Sequence, residues 1–100
     1  MPKNVKEIHW DAFFKCESLI GISLPDSVTK IPLRCFSGCK RLQYFDFTVR
    51  DEIDDPYITI GNWAFYGCIS LLKVDLSHSS VYSIGQGCFA NCMKLETVIL

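Results

Sequence analysis

The chain of 100 residues has no long hydrophobic run, since its longest apolar stretches are four residues. A helix that crosses a bilayer needs about eighteen apolar residues or more, so no membrane insertion of that kind is expected. The opening Met-Pro-Lys-Asn-Val-Lys-Glu also lacks the apolar region of a secretory leader, and as written the chain does not read as an exported precursor. An excess of charge of either sign is missing too: ten basic residues face eleven acidic ones, and no basic tract is longer than Lys40-Arg41. Nucleic-acid binding relies on clustered Lys and Arg to neutralise phosphates, so a nucleic-acid partner is not expected. There is no G-x-G-x-x-G or other phosphate loop, and no cofactor is implied. His9, His78, Ser79 and Ser80 stand in no local nucleophile or acid–base signature, so no catalytic residue is assigned and the chain reads as non-enzymatic.

What the chain does have is apolar content, 49% of its residues, enough for a real core in a single domain. That content is periodic. Phe13, Phe36, Phe65 and Phe89 recur at spacings of 23, 29 and 24 residues. Cys16, Cys39, Cys68 and Cys92 share that register, as do Leu19, Leu42, Leu71 and Leu95, and Ile8, Ile31, Ile60 and Ile84. So do Ile22, Phe45, Val74 and Val98, and finally Leu24, Phe47, Leu76 and Leu100. Each unit reads V-x-x-I-x-x-x-A/C-F-x-x-C-x-x-L-x-x-I-x-L, giving repeats at about 5–27, 28–56, 57–80 and 81–100.

The spacing inside the unit assigns its parts. Ile22-Ser23-Leu24 and its counterparts alternate apolar and outward residues at the period of a half-buried strand, one per repeat, which stack into a parallel sheet. The β-branched Val28 to Ile31 and Val81 to Ile84 predict a second, minor strand. The A-F-x-x-C piece places small, aromatic and thiol groups at i, i+1 and i+4, which predicts one helical turn docked on the core. Gly38, Gly61, Gly67, Gly85 and Gly87, with Pro25 and Pro32, mark the corners. No unit can bury its apolar side alone, so the four share one core. On this register each of the four column phenylalanines is worth roughly 3–5 kcal/mol against alanine.

The stretches A-F-F-K-C-E-S-L-I-G-I-S-L-P, C-F-S-G-C-K-R-L-Q-Y-F-D-F, A-F-Y-G-C-I-S-L-L-K-V-D-L and C-F-A-N-C-M-K-L-E-T-V-I-L resemble the leucine-rich repeat of the BspA-like (Treponema pallidum) type. The resemblance implies a mainly β solenoid of about four coils with short helical turns and a parallel sheet on its concave face. It also implies a non-enzymatic protein-binding module similar to cell-surface adhesion and recognition proteins, located at the surface or secreted if the chain is part of such a protein and cytoplasmic if it is complete. Proline follows the strand in the first copy alone. The 29-residue spacing implies an insertion of about six residues after Phe47, within Thr48 to Tyr57.

Six cysteines invite a disulfide or zinc reading, and Cys35 with Cys39 and Cys88 with Cys92 look like paired ligand sets. The register favours a different reading. Cys35 and Cys88 fall in the small-residue column of Ala12 and Ala64, while the other four form the family's thiol column, so reduced and buried thiols are expected. Stacked coils still bring ladder thiols near enough that oxidation is not ruled out by distance. The acidic Asp51, Glu52, Asp54 and Asp55 lack the spacing and central glycine of a helix-loop-helix calcium loop and read as a solvated loop, or an accessory contact, with no metal site assigned. Trp10 and Trp63, in the variable segment before A-F, read as outer packing rather than ligand stacking.

The outward strand columns are the candidate binding face. They read Gly21, Tyr44, Lys73, Thr97 and Ser23, Asp46, Asp75, Ile99. Asp46 and Asp75 are expected side by side, a like-charge pair in need of Lys73 or a partner. Tyr44, Asp46, Lys73, Asp75 and Thr97 are therefore the expected protein contacts. The alternative is a scaffolding segment that stacks or self-associates through uncapped end coils, where Leu95, Val98 and Leu100 lack a following repeat.

Overall fold

A computed structural model describes residues 8–25, 28–48, 57–77 and 80–99. Among these lie the strands β1 (Gly21–Pro25), β2 (Lys30–Ile31), β3 (Tyr44–Thr48), β4 (Tyr57–Ile60), β5 (Lys73–Asp75), β6 (Ser80–Ile84) and β7 (Thr97–Ile99). They separate by order along the chain. The odd-numbered strands form one parallel sheet, β1-β3-β5-β7, and the even-numbered ones a second parallel sheet, β2-β4-β6. The chain thus coils, visiting each sheet once in the second, third and fourth repeats. Equivalent positions pair across coils: Ile22 opposite Phe45, Phe45 opposite Val74, and Val74 opposite Val98. The second sheet is less regular, with a register shift between Ile58 and Thr59.

Between the two sheets sits a core whose largest fully buried side chains are Phe36, Phe45 and Phe65. The column phenylalanines form a continuous stack. Phe13 lies on Phe36 at 5.1 Å, Phe36 on Phe65 at 5.2 Å and Phe65 on Phe89 at 5.5 Å, all within 14° of parallel. Phe45 from the main sheet closes the stack sideways, edge-on to Phe36 and Phe65. Offset stacks and edge contacts are the arrangements that the ring quadrupole favours. The stack is not uniform, however: Phe36 and Phe65 are fully buried, whereas Phe13 and Phe89 at its two ends are partly buried. The outer pair thus buries less surface than the inner pair.

The A-F segments adopt turns, with no helix among the described residues, where the spacing predicts a helical turn. The main chain shows why. Every second N–H closes a local turn, as in Cys35 to Pro32 O (3.2 Å), Ser37 to Arg34 O (3.1 Å) and Cys39 to Phe36 O (3.2 Å). The N–H groups between them leave the coil altogether: Arg34 donates to Asn62 O (3.1 Å), Phe36 to Ala64 O (2.7 Å) and Gly38 to Tyr66 O (2.8 Å). The third coil repeats this toward the fourth, through Trp63 to Gln86 O, Phe65 to Cys88 O and Gly67 to Ala90 O. An α-helix would require those same donors to reach back four residues, so cross-coil bonding and helix are mutually exclusive. The turns form a third hydrogen-bonded layer beside the two sheets.

Candidate functional site

On the outward side of the four-stranded sheet, strand register builds two rows. Gly21, Tyr44, Lys73 and Thr97 occupy successive strands in direct register, and all four are exposed. Tyr44 has 52% of its surface exposed although it lies on a central strand. The neighbouring row starts with Ser23 opposite Asp46, and ends with Asp75 opposite Ile99. The β3–β5 ladder ends at Phe45 opposite Val74, and the two carboxylates expected side by side each have a hydrogen-bond donor of their own. The Ser23 hydroxyl donates to Asp46 Oδ1, and Asp75 Oδ1 accepts the Ser77 N–H at 3.0 Å. The acidic segment Asp51, Glu52, Asp54 and Asp55 lies outside the described residues, as do His78 and Ser79. His9 is exposed and its ring pairs with the Asp11 carboxylate.

All six cysteines are free thiols. Three of the column members share a single geometry: Cys39 Sγ donates to Phe13 O (3.0 Å), Cys68 to Phe36 O (3.0 Å) and Cys92 to Phe65 O (3.1 Å). Each of those carbonyls already accepts the N–H three residues on in its own coil, so the thiol of the next coil occupies its second lone pair. Cysteine suits the column because it is small and apolar yet brings a donor. Burial pushes the Cys35 and Cys88 thiols up to about 12 and those of Cys39 and Cys92 up to about 11, from an ordinary value of 9.0. Cys68 moves in the same direction for the same reason. These are poor nucleophiles, since the thiolate is the reactive form. No group of three or more His, Cys, Asp or Glu side chains placed to hold a metal ion occurs among the described residues.

Stacked coils with one thiol and one phenylalanine column each are the geometry of a repeat family. The family model described as "BspA type Leucine rich repeat region (6 copies)" matches residues 1–100. The chain belongs to the BspA-type leucine-rich repeat family. No curated protein and no solved structure matches it. Membership in the BspA-type family points to a repeat module of a class associated with protein–protein interaction and typically without catalysis.

The BspA-type coil of this chain has a second concavity, on the turn layer rather than the sheet. A groove of about 390 Å³ is lined by Phe14, Lys15, Arg34, Ser37, Trp63 and Tyr66. Trp63, read from sequence as outer packing, is half-buried in its wall, and Trp10 stands exposed beside Phe14 at 5.8 Å. The groove falls on positions written x in the repeat pattern, which column matching passes over. The signal that could have found it is the occurrence of Lys15, Arg34 and Trp63 in columns that other coils fill with glycine.

Proposed function

We propose that this chain is a non-enzymatic protein-binding module, of the adhesion and recognition type, that takes its partner on the outward face of the four-stranded sheet. The observation that carries this reading is Tyr44: an exposed aromatic on a central strand, held between Gly21 and Lys73 by ladder hydrogen bonds. Such a residue offers large contact area at low entropic cost, which is why tyrosine is enriched among binding hot spots. Around it Asp46, Lys73, Asp75 and Thr97 supply polar contacts of both signs. Asp51, Glu52, Asp54 and Asp55, which follow β3 in the chain, are the accessory segment.

The test is to isolate a partner by pull-down with the intact chain and measure its affinity for Tyr44→Ala and Asp46→Lys. Lys30→Ala on the exposed side of the second sheet serves as control. A Tyr44→Ala loss of about 2 kcal/mol, near thirtyfold in affinity, with an unaffected control supports the reading. Unchanged affinity in both face variants, with the fold intact, refutes it.

A scaffolding role through end-to-end stacking has its own support. In the fourth coil the column residues Ile84 and Val98 are 41% and 37% exposed, whereas Ile31, Ile60, Phe45 and Val74 in the same columns are 1% or less. Val98→Lys should then reduce self-association measured by sedimentation. A monomer at every concentration before substitution removes this reading.

A further inference from the structure

The groove on the turn layer is built rather than incidental. In the second, third and fourth turns the residues two before and two after the column phenylalanine take a left-handed backbone, and in the first turn the residue two after it does. Glycine fills three of these, at Gly38 (φ 76°), Gly67 (φ 72°) and Gly87 (φ 64°). Lys15 (φ 53°), Arg34 (φ 58°), Trp63 (φ 61°) and Asn91 (φ 60°) occupy the others, where a Cβ is disfavoured, asparagine being the side chain that tolerates this region best. Lys15, Arg34 and Trp63 line the groove, and Asn91 hydrogen-bonds its wall residue Tyr66. Strain of this kind concentrates where a side chain has work that glycine cannot do.

The walls are also fixed in place. The Trp63 ring lies so close over Gly87 that a Cβ there would come within 2.1 Å of it. Tyr66 stands edge-on to Trp63 at 5.6 Å and 85°, and its hydroxyl accepts a hydrogen bond from Asn91 Nδ2 at 3.1 Å. Lys15 Nζ sits 5.4 Å over the Phe14 ring, which holds the ammonium at the groove by a cation–π contact. The ion pairs among the described residues are His9 with Asp11 and Lys40 with Glu17, and neither Lys15 nor Arg34 is ion-paired to any other described residue.

We infer that this groove binds an acidic peptide segment, which inserts one aromatic side chain between Phe14, Trp63 and Tyr66 and sets flanking carboxylates on Lys15 and Arg34. Two cations among the lining residues, with no carboxylate beside them in that lining, make the groove complementary to negative charge. The perpendicular Trp63 and Tyr66 rings form a corner, in which an aromatic ring packs face-on to one and edge-on to the other. A pyranose, which lies flat on a single ring, uses such a corner less well. The groove is a different site from the sheet face, and neither requires the other.

The test titrates the intact chain by calorimetry with a blocked pentapeptide of one phenylalanine flanked on each side by two glutamates. Two further peptides replace the glutamates with glutamines or the phenylalanine with alanine, and a glucuronate disaccharide tests an acidic sugar. The acidic aromatic peptide should bind at least about tenfold tighter than either variant peptide, and more weakly at high salt. Lys15→Gly and Arg34→Gly should each weaken it by about fivefold or more while leaving the melting temperature unchanged or raised, since glycine relieves the left-handed backbone. Tyr44→Ala should bind the peptide as the parent does, whatever its effect at the sheet face. Equal binding of the glutamine peptide, indifference to both glycine variants, or tighter binding of the disaccharide would overturn the inference.

Discussion

Replacing Phe65 by alanine is the most informative perturbation of the core, because its cost follows from well-defined surroundings. The ring is fully buried, lies between Phe36 and Phe89 at 5.2 and 5.5 Å, and meets the Phe45 ring edge-on at 5.1 Å. Losing a buried aromatic side chain forfeits about 2–3 kcal/mol of transfer free energy. Stacked neighbours on both sides cannot close the gap without breaking their own register. A residual void of roughly 80 Å³ then adds about 2 kcal/mol, for a total near 4 kcal/mol. Phe13 is partly buried and stacks on one ring of the ladder, so its alanine variant should lose only about 2 kcal/mol. Phe89 at the other end should behave like Phe13. Urea denaturation of Phe13→Ala, Phe36→Ala, Phe65→Ala and Phe89→Ala, followed by circular dichroism, reads the difference from midpoints at constant slope. If an inner variant is too unstable to fold, Phe65→Leu, expected to cost about 1.5 kcal/mol or less, keeps the comparison open. A flat profile across the four, or a larger loss at the ends than in the middle, would refute a stacked ladder bearing on the core.

Further expectations are as follows. Thiols raised from 9.0 to about 11–12 keep their protons in the folded chain while the unfolded chain loses them, so stability should be fully present below pH 9 and fall as pH rises toward 11–12. Melting temperatures across that range check the sign, and the Cys35→Ala, Cys88→Ala double variant should flatten the decline. In native buffer Cys35, Cys39, Cys68, Cys88 and Cys92 should react slowly with a thiol reagent and become reactive in denaturant, an outcome that rapid native labelling of most of them would contradict. Gly85→Ala should destabilise by about 2–3 kcal/mol in thermal melts, because its Cβ would lie 2.4 Å from the Asn62 main-chain nitrogen. Gly21→Ala, whose nearest neighbour would be 3.8 Å away, should be neutral or stabilising by up to about 1 kcal/mol.

The coil was legible in the sequence because every core position recurs and each column reports one environment. Phe36 and Phe65, Leu42 and Leu71, and Ile31 and Ile60 occupy matching buried places, and the parallel pairing of β1, β3, β5 and β7 follows from their equivalence. The turn layer was misread because i, i+1, i+4 spacing marks residues on one side of a helix and equally residues on one side of consecutive turns. What separates the two is the positive φ at Lys15, Arg34, Trp63 and Asn91, which the apolar spacing does not reveal and which only the glycines sharing their columns signal. The sheet face was legible as positions, since register alone puts Tyr44 beside Lys73. Its chemistry was not: the Ser23 hydroxyl on Asp46 depends on rotamers rather than spacing. The groove escaped for a third reason, being assembled from non-repeating residues of three coils.

The direction of the cross-coil bonds in the turn layer makes the solenoid polar along its axis. Lys15, Arg34, Phe36, Gly38, Trp63, Phe65 and Gly67 all donate toward the following coil, and none of these bonds runs backward. Aligned peptide dipoles therefore add up, as they do in a helix, with the positive end facing onward along the chain. In the fourth coil the equivalent N–H groups are those of Gly87, Phe89 and Asn91, so each coil presents N–H groups to the coil after it and carbonyl oxygens to the coil before it. Two copies meeting through like ends would oppose donor to donor or acceptor to acceptor. Only a head-to-tail arrangement lets the layer continue, and that geometry does not close on itself as a two-fold dimer does.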